Sequence, residues 1–390
     1  MGFTSTFTRI TTVAAVAASA LLVLPMSSAQ ADPAGTLISA TAQPDGWHGQ
    51  VNGSIVKYWT TRSNGEQVRA SGAMYIPAGP APAGGWPIMA YDHGTTGLGA
   101  NCGGQTDPDN APLPGMMADE DVLMRYFASK GFAVVAPDYL GLGLYETGPH
   151  PYLELRTEAT ATIDLVRAAR SANPELSRTW AVAGTSQGGH AALGTSSVQV
   201  AAAPDLDFRG TVAVDPASDV EKVLPIAGPW VPELSGKTGD DVNGFVVSIL
   251  AGLRAARPDA QVDSYLTEQG RTLLDSVGNT CLPETIKRMR GISIGDLLAR
   301  SLSEGPLTPV LRDYMTVPTR GYDAPILLLL NATDTTVPSP LHAALAAQFA
   351  ANGVDFQTSV GTGSHGNINP QMWSAMDAFL NRILATPTQS

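Results

Sequence analysis

Short, almost uninterrupted apolar runs alternate along this chain with longer stretches in which apolar residues recur every third or fourth position. Residues 87–91, 132–136, 180–183, 210–214 and 324–330 read as strands, the last too uniformly apolar to have one wet face, as in a parallel sheet covered on both sides. Residues 120–130, closed by Gly131, and residues 153–171, 191–203 and 370–383 predict helices. On 153–171 the spacing sets apolar residues on one face and Arg156, Glu158 and Asp164 on the others. Nearer the start, residues 55–60 and 68–75 alternate around Asn64-Gly65, the signature of a hairpin. Strand and helix in turn predict an α/β fold, a mostly parallel central sheet flanked by helices, with chemistry at the carboxyl ends of its strands.

That rhythm stops between residues 219 and 319, where residues 241–257, 264–277, 283–289 and 292–302 read as helices and no strand is convincing. Their apolar faces carry Phe245, Val246, Ile249, Leu250 and Leu253, then Leu266, Leu273, Leu274, Ile294 and Leu297. The expected organisation is therefore a core of residues 32–218 and 320–390, with 219–319 inserted as a helical cap. Residues 1–31 read as a secretory signal peptide: Arg9, an apolar stretch over 13–24, Pro25, then Ala29-Gln30-Ala31 as the cleavage site. Thirteen to twenty-four is too short for a comfortable membrane span, so the expected product is a secreted protein without an integral membrane segment.

Export changes the reading of the cysteines. There are two, Cys102 and Cys281, and in an oxidising compartment they predict one disulfide. Neither has a second cysteine or histidine at ligand spacing, so no metal site is expected of them. Charge is acidic, with 23 basic and 35 acidic residues for a net −12 and no basic cluster, which argues against a nucleic-acid partner. Asp107, Asp109, Asp119 and Glu120 form an acidic stretch that reads as a solvated face. No dinucleotide or nucleotide fingerprint is present, and no cofactor is expected.

The chemistry is written in Gly184-Thr185-Ser186-Gln187-Gly188, which follows an apolar run and precedes a small-residue helix. A strand, a GxSxG turn and a helix make a nucleophile elbow, in which the serine holds a strained backbone at the head of the helix. Its hydroxyl needs a base, and the base needs an orienting acid. Of six histidines only His342 and His365 lie well downstream. His365, in the loop Gly363-Ser364-His365, is the expected base. His342 lies just inside a helix start, where an exposed histidine is ordinary. Asp334, just past the apolar run 324–330, is the expected acid, with Asp215 after 210–214 as the alternative. Two N–H donors for the oxyanion are expected from Gln187 and from Thr95, in the loop Asp92-His93-Gly94-Thr95. Each such donor contributes about 2.7–4 kcal/mol in a transition state. His93 is expected to brace that loop.

With these pieces in place, the chain resembles the α/β-hydrolase secretory lipase family, and within it the bacterial secreted members. The resemblance rests on residues 93–97, 137–143, 148–153, 184–189, 334–338 and 363–365, in order over most of the chain. It implies a triad of Ser186, Asp334 and His365, a helical cap, and hydrolysis of acylglycerols or simpler esters, with a lipid or ester small molecule as substrate at a lipid–water interface. One yeast lipase of the family has an acidic residue in the oxyanion loop where this chain has His93-Gly94-Thr95, so its selectivity and pH behaviour are not carried over. An exported serine peptidase or acyltransferase is the alternative. A peptidase would want acidic residues in the cap to hold a terminal amine, and Glu221, Glu233, Asp240 and Asp241 are the candidates.

Overall fold

A computed structural model describes residues 1–4, 31–234 and 236–385. The export signal expected within residues 1–31 lies outside the described residues. From Asp32 onward the chain is one compact unit built on a nine-stranded sheet. The strands are β1 Leu37–Gln43, β2 Gly53–Thr61, β3 Gln67–Tyr75, β4 Trp86–Asp92, β5 Ala133–Pro137, β6 Leu176–Thr185, β7 Asp207–Val214, β8 Ile326–Asn331 and β9 Phe356–Gly361. Their order is β1-β2-β3-β5-β4-β6-β7-β8-β9. The first three and the β3–β5 pair run antiparallel, and every later pair is parallel.

The uniformly apolar runs lie where both faces of the sheet are covered: β5 and β8 are buried at every position. β2 and β3 pair in register from Gly53–Tyr75 to Thr61–Gln67, with Asn64-Gly65 in the turn, as the alternation predicts. β1, with the sequence LISATAQ, is mostly exposed along an edge, and an edge strand of small and polar residues carries no apolar signal to be read.

Helices α1 Pro114–Ser129, α2 Leu155–Ala172, α3 Gln187–Ala202, α4 Val220–Val223, α5 Gly236–Ala256, α6 Glu268–Val277, α7 Leu282–Met289, α8 Ile294–Leu297, α9 Leu307–Met315, α10 Ser339–Ala351 and α11 Pro370–Ala385 complete the unit. On one side of the sheet, Leu123, Met124 and Phe127 of α1 and Met372, Met376 and Phe379 of α11 pack on Met89, Val134 and Leu327. Ile163, Val166 and Ala169 of α2 pack with Val56, Ile88 and Val135 on the other. Each of the larger side chains among these contributes about 1.5–3 kcal/mol when fully buried.

Between β7 and β8 the described chain is helical, from α4 to α9, and has its own apolar cluster around Val247, Leu250, Leu253, Leu274 and Leu311. Four details depart from the sequence reading. Residues 292–302 hold one helical turn, α8, and 264–277 divides into a tight turn at Val262–Tyr265 and α6. The helix expected at 120–130 starts earlier, at Pro114, a residue that suits a first helical position. Glu158 and Asp164 are buried, because α2 is overlaid by α3 as well as by the sheet. Thr60 donates to Asp164 at 2.8 Å, and burial raises this carboxyl to about 7.

Candidate active site

β6 ends at Thr185 and α3 begins at Gln187, so a single residue, Ser186, makes the reversal. It does so at φ 60 and ψ −117, a backbone conformation that costs an L-residue of order 1–3 kcal/mol. The two flanking glycines are obligatory. A Cβ on Gly184 would run into the carbonyl oxygen of Gly188, and one on Gly188 into that of Asp92. The Ser186 N–H donates to Val214 O at 2.9 Å, and its carbonyl accepts from Ala217 N at 3.1 Å, which ties the turn to the end of β7.

Asp334 follows β8, and His365 lies in the loop between β9 and α11. Nδ1 of His365 donates to Oδ2 of Asp334 at 2.6 Å. With its proton on Nδ1, the neutral ring has a bare Nε2, and among the described residues Nε2 has no partner. Ser186 and His365 line the same cleft of about 640 Å³. Oδ1 of Asp334 accepts from Thr336 N at 2.8 Å and Val337 N at 3.2 Å. Burial alone would raise this carboxyl, but His342, His365 and Thr336 together hold it well below the usual carboxylate range.

His342 is not the exposed helix-start residue that the sequence suggests. It is 2 % exposed, and its Nε2 donates to the same Oδ2 of Asp334 at 3.0 Å. Asp215, the alternative acid, makes no bond to His365. Its oxygens accept from Asn331 N, Asn331 Nδ2 and Gly366 N at 2.7, 2.7 and 2.8 Å, so it holds the backbone next to His365. Asp215, Asp334 and His365 are close enough to bracket a cation, yet the oxygens of both carboxylates already accept N–H donors.

Thr95 lies in the loop after β4, buried, with its hydroxyl bonded to Tyr152 at 2.9 Å and away from solvent. Gln187 is the first residue of α3, so its N–H is among the donors a helix leaves unpaired. His93 is fully buried, donates from Nδ1 to Gly94 O at 2.7 Å, and burial lowers its pKa, which fits a bracing role.

Beneath Gln187 lies a buried polar chain that residue patterning missed. The Gln187 amide Nε2 donates to Nε2 of His150 at 2.7 Å and to Oε1 of Glu158 at 2.8 Å. His150 donates from Nδ1 to Leu140 O at 2.8 Å, and burial depresses it to about 4, so it is the neutral acceptor this arrangement needs. His190 donates from both nitrogens, to Glu158 at 2.8 Å and Met315 O at 2.9 Å. Burial opposes its charge, but the Glu158 carboxylate outweighs that and raises its pKa.

Glu120 also departs from expectation. It is 4 % exposed, borders the cleft and accepts from Gly94 N at 2.7 Å. Burial raises it to about 8 against the opposing Gly94 bond, with Asp121 and Asp119 adding to the rise, so it is predominantly neutral at pH 7. Asp107, Asp109 and Asp119 are not buried. Of the acidic residues considered for holding an amine, Asp241 alone lines the cleft, and Lys237 occupies it at 2.8 Å. Cys102 and Cys281 form a disulfide with Cα atoms 5.4 Å apart. Beside it Leu98 N donates to Thr280 O at 2.9 Å and Leu282 N to Thr96 O at 2.7 Å, so the loop carrying Thr95 is stitched to the helical insertion.

A parallel sheet flanked by helices, with a serine at a strained strand–helix turn and a helical insertion above the strand ends, defines the α/β-hydrolase class. The secretory lipase family model matches residues 111–378, and the chain belongs to that family. Candida antarctica lipase A superposes with a TM-score of 0.72 at 20% identity, over 92% of this chain and 84% of that one. The rice cell wall degrading esterase LipA from Xanthomonas oryzae does so at 0.65 and 22%, over 90% and 97%. A Mycobacterium tuberculosis protein named a probable inactive lipase is 24% identical over 317 residues, 78% of this chain and 67% of its own length. No described helix is long and apolar enough to cross a membrane.

Proposed function

We propose that the chain is a secreted, catalytically competent carboxylic-ester hydrolase that works through an acyl-enzyme. The observation that carries this is the bond from His365 Nδ1 to Asp334, which leaves Nε2 as a free acceptor in the cleft that also holds Ser186. Ser186 Oγ attacks the ester carbonyl while Nε2 of His365 takes its proton. As the bond from the carbonyl carbon to the alcohol oxygen breaks, His365 returns that proton to the departing alcohol. Water then repeats the sequence and releases the acid. Asp334 orients the imidazole and stabilises its charged form, and the N–H groups of Thr95 and Gln187 receive the oxyanion. The chain from His150 through Glu158 to His190 fixes the Gln187 side chain, and so the first turn of α3.

The reading goes against the name of the M. tuberculosis relative, and its support is that Ser186 shares a cleft with a His365 already bonded to Asp334. A lipid–water interface is the setting we favour. Val223, Ile226, Trp230 and Leu234 are exposed where they border an apolar cavity that also reaches Ser186, and the residues from α4 to α9 act as the cap over the strand ends. The test is Ser186→Ala: a folded variant should lose at least about 10⁴-fold in kcat on p-nitrophenyl esters. Ester turnover near the wild-type rate would sink the assignment. Aminoacyl anilides in the same assay separate it from peptidase activity.

A further inference from the structure

Two cavities of different chemistry meet at Ser186, with Phe245 bordering both. One is the cleft of about 640 Å³. There the hydroxyl, amide and carboxyl groups of Thr335, Ser364, Asn367, Asp119 and Asp241 alternate with apolar surface such as Trp373. The other, about 390 Å³, is almost wholly apolar, with Trp230, Val246, Ile249 and Leu341 among its walls. Resting on the hydrolase reading, we infer that the substrate is an ester of one apolar acyl chain with a neutral alcohol bearing several free hydroxyls.

Proton transfer decides which end lies where. The departing alcohol oxygen must receive the proton held on His365 Nε2, so the alcohol lies on the His365 side of the carbonyl. His365 lines the mixed cleft and not the apolar cavity. The acyl chain then extends from the carbonyl into the apolar cavity, where its burial is favourable. Were a second acyl chain or a simple alkyl group to fill the mixed cleft, it would strip water from hydroxyls and carboxylates without replacing the lost bonds, which is costly. An alcohol with hydroxyl edges and C–H faces satisfies both parts of that lining. Charge narrows the class further. Asp119 and Asp241 face the cleft against a single lysine, Lys237, already bonded to Asp241, so an alcohol carrying phosphate meets repulsion.

The experiment compares kcat/KM for three soluble decanoyl esters below their micelle concentrations: of glycerol, of methanol and of glycerol 3-phosphate. The glycerol ester should exceed each of the others by about tenfold, the discrimination that one lost hydrogen bond or one repulsive charge gives. Equal values for the glycerol and methyl esters, or a faster phosphate ester, overturn the inference and leave the hydrolase reading standing. No turnover of any ester by the folded protein sinks the hydrolase reading itself. Val246→Trp, which fills the apolar cavity, should lower the decanoyl-to-acetyl ratio on glycerol monoesters more than tenfold, and an unchanged ratio would place the acyl chain elsewhere. If this variant does not fold, the three-ester comparison still decides.

Discussion

Asp334 divides its work unequally between its oxygens. Oδ1 is held by two backbone N–H groups, while Oδ2 is shared by His365 and His342. Each donor to Oδ2 draws charge from it, so His342 weakens the hold of Asp334 on a proton carried by His365. His342→Ala, which removes that donor and loosens Asp334, should lower kcat on a soluble ester by about 3- to 10-fold, the scale of one hydrogen bond, while His342→Gln, which keeps an N–H donor, should lower it less. If kcat is unchanged and only Tm falls, His342 is a packing residue. Nothing in the sequence announces this histidine: it sits at i+8 from Asp334, and only the fold of the intervening loop brings the two together. The candidates Ser186 and Asp334 could be picked out because strand-end chemistry leaves a local signature, glycines around the serine and an apolar run before the acid, and His365 because few histidines lie downstream of them. Glu120, Glu158 and His190 were not, since a charged residue on an amphipathic helix reads as wet until a second layer is known to cover it.

Among the elements, the loop from Asp92 to Cys102 carries the most consequence per residue. It follows β4, bears Thr95, pairs with residues 280–282 and ends at the disulfide. The bridge spans a sequence separation of 179 residues, and closing so long a loop should stabilise the folded chain by about 2–5 kcal/mol. A double Cys102→Ala, Cys281→Ala variant should therefore unfold at lower denaturant. Because the same segment positions the Thr95 N–H, that variant should also lose ester turnover at temperatures below its own unfolding transition. Coincident loss of activity and of structure would mean that the bridge only supports global stability. The fold was readable at the elements where burial is two-sided, β5 and β8 above all, and at the hairpin, where Asn64-Gly65 dictates the turn. It was less readable in the insertion. There helices as short as α8 are held by tertiary contacts and a capping box at Ser293, and too few turns exist for a period to show.

For the whole molecule, the buried ionisable groups set how stability depends on pH. Burial raises Asp164 to about 7 and Glu120 to about 8, so the folded chain binds these protons more tightly than an unfolded one, whose carboxyls ionise near ~4. Wherever the folded state binds more protons, stability falls as pH rises, and for these two groups the fall runs from about pH 4 to about 8. His190, raised by Glu158, adds to the loss on the alkaline side. His150 works the other way. Depressed to about 4 by burial, it lowers stability as pH drops below the ordinary imidazole value of ~6.5. Two raised carboxyls outweigh one depressed imidazole, so the net slope is downward above about pH 4, and stability declines toward pH 8.5, a decline that self-repulsion of a chain at net −12 reinforces. Glu120→Gln and Asp164→Asn keep an acceptor for Gly94 N and for Thr60 but cannot ionise, so each should flatten the decline and raise Tm at pH 8.5 by at least about 2 °C. The gap to wild type should close as pH approaches 5. A wild-type Tm as high at pH 8.5 as at pH 6, or variants with the wild-type slope, would mean that these carboxyls do not stay buried and neutral in solution.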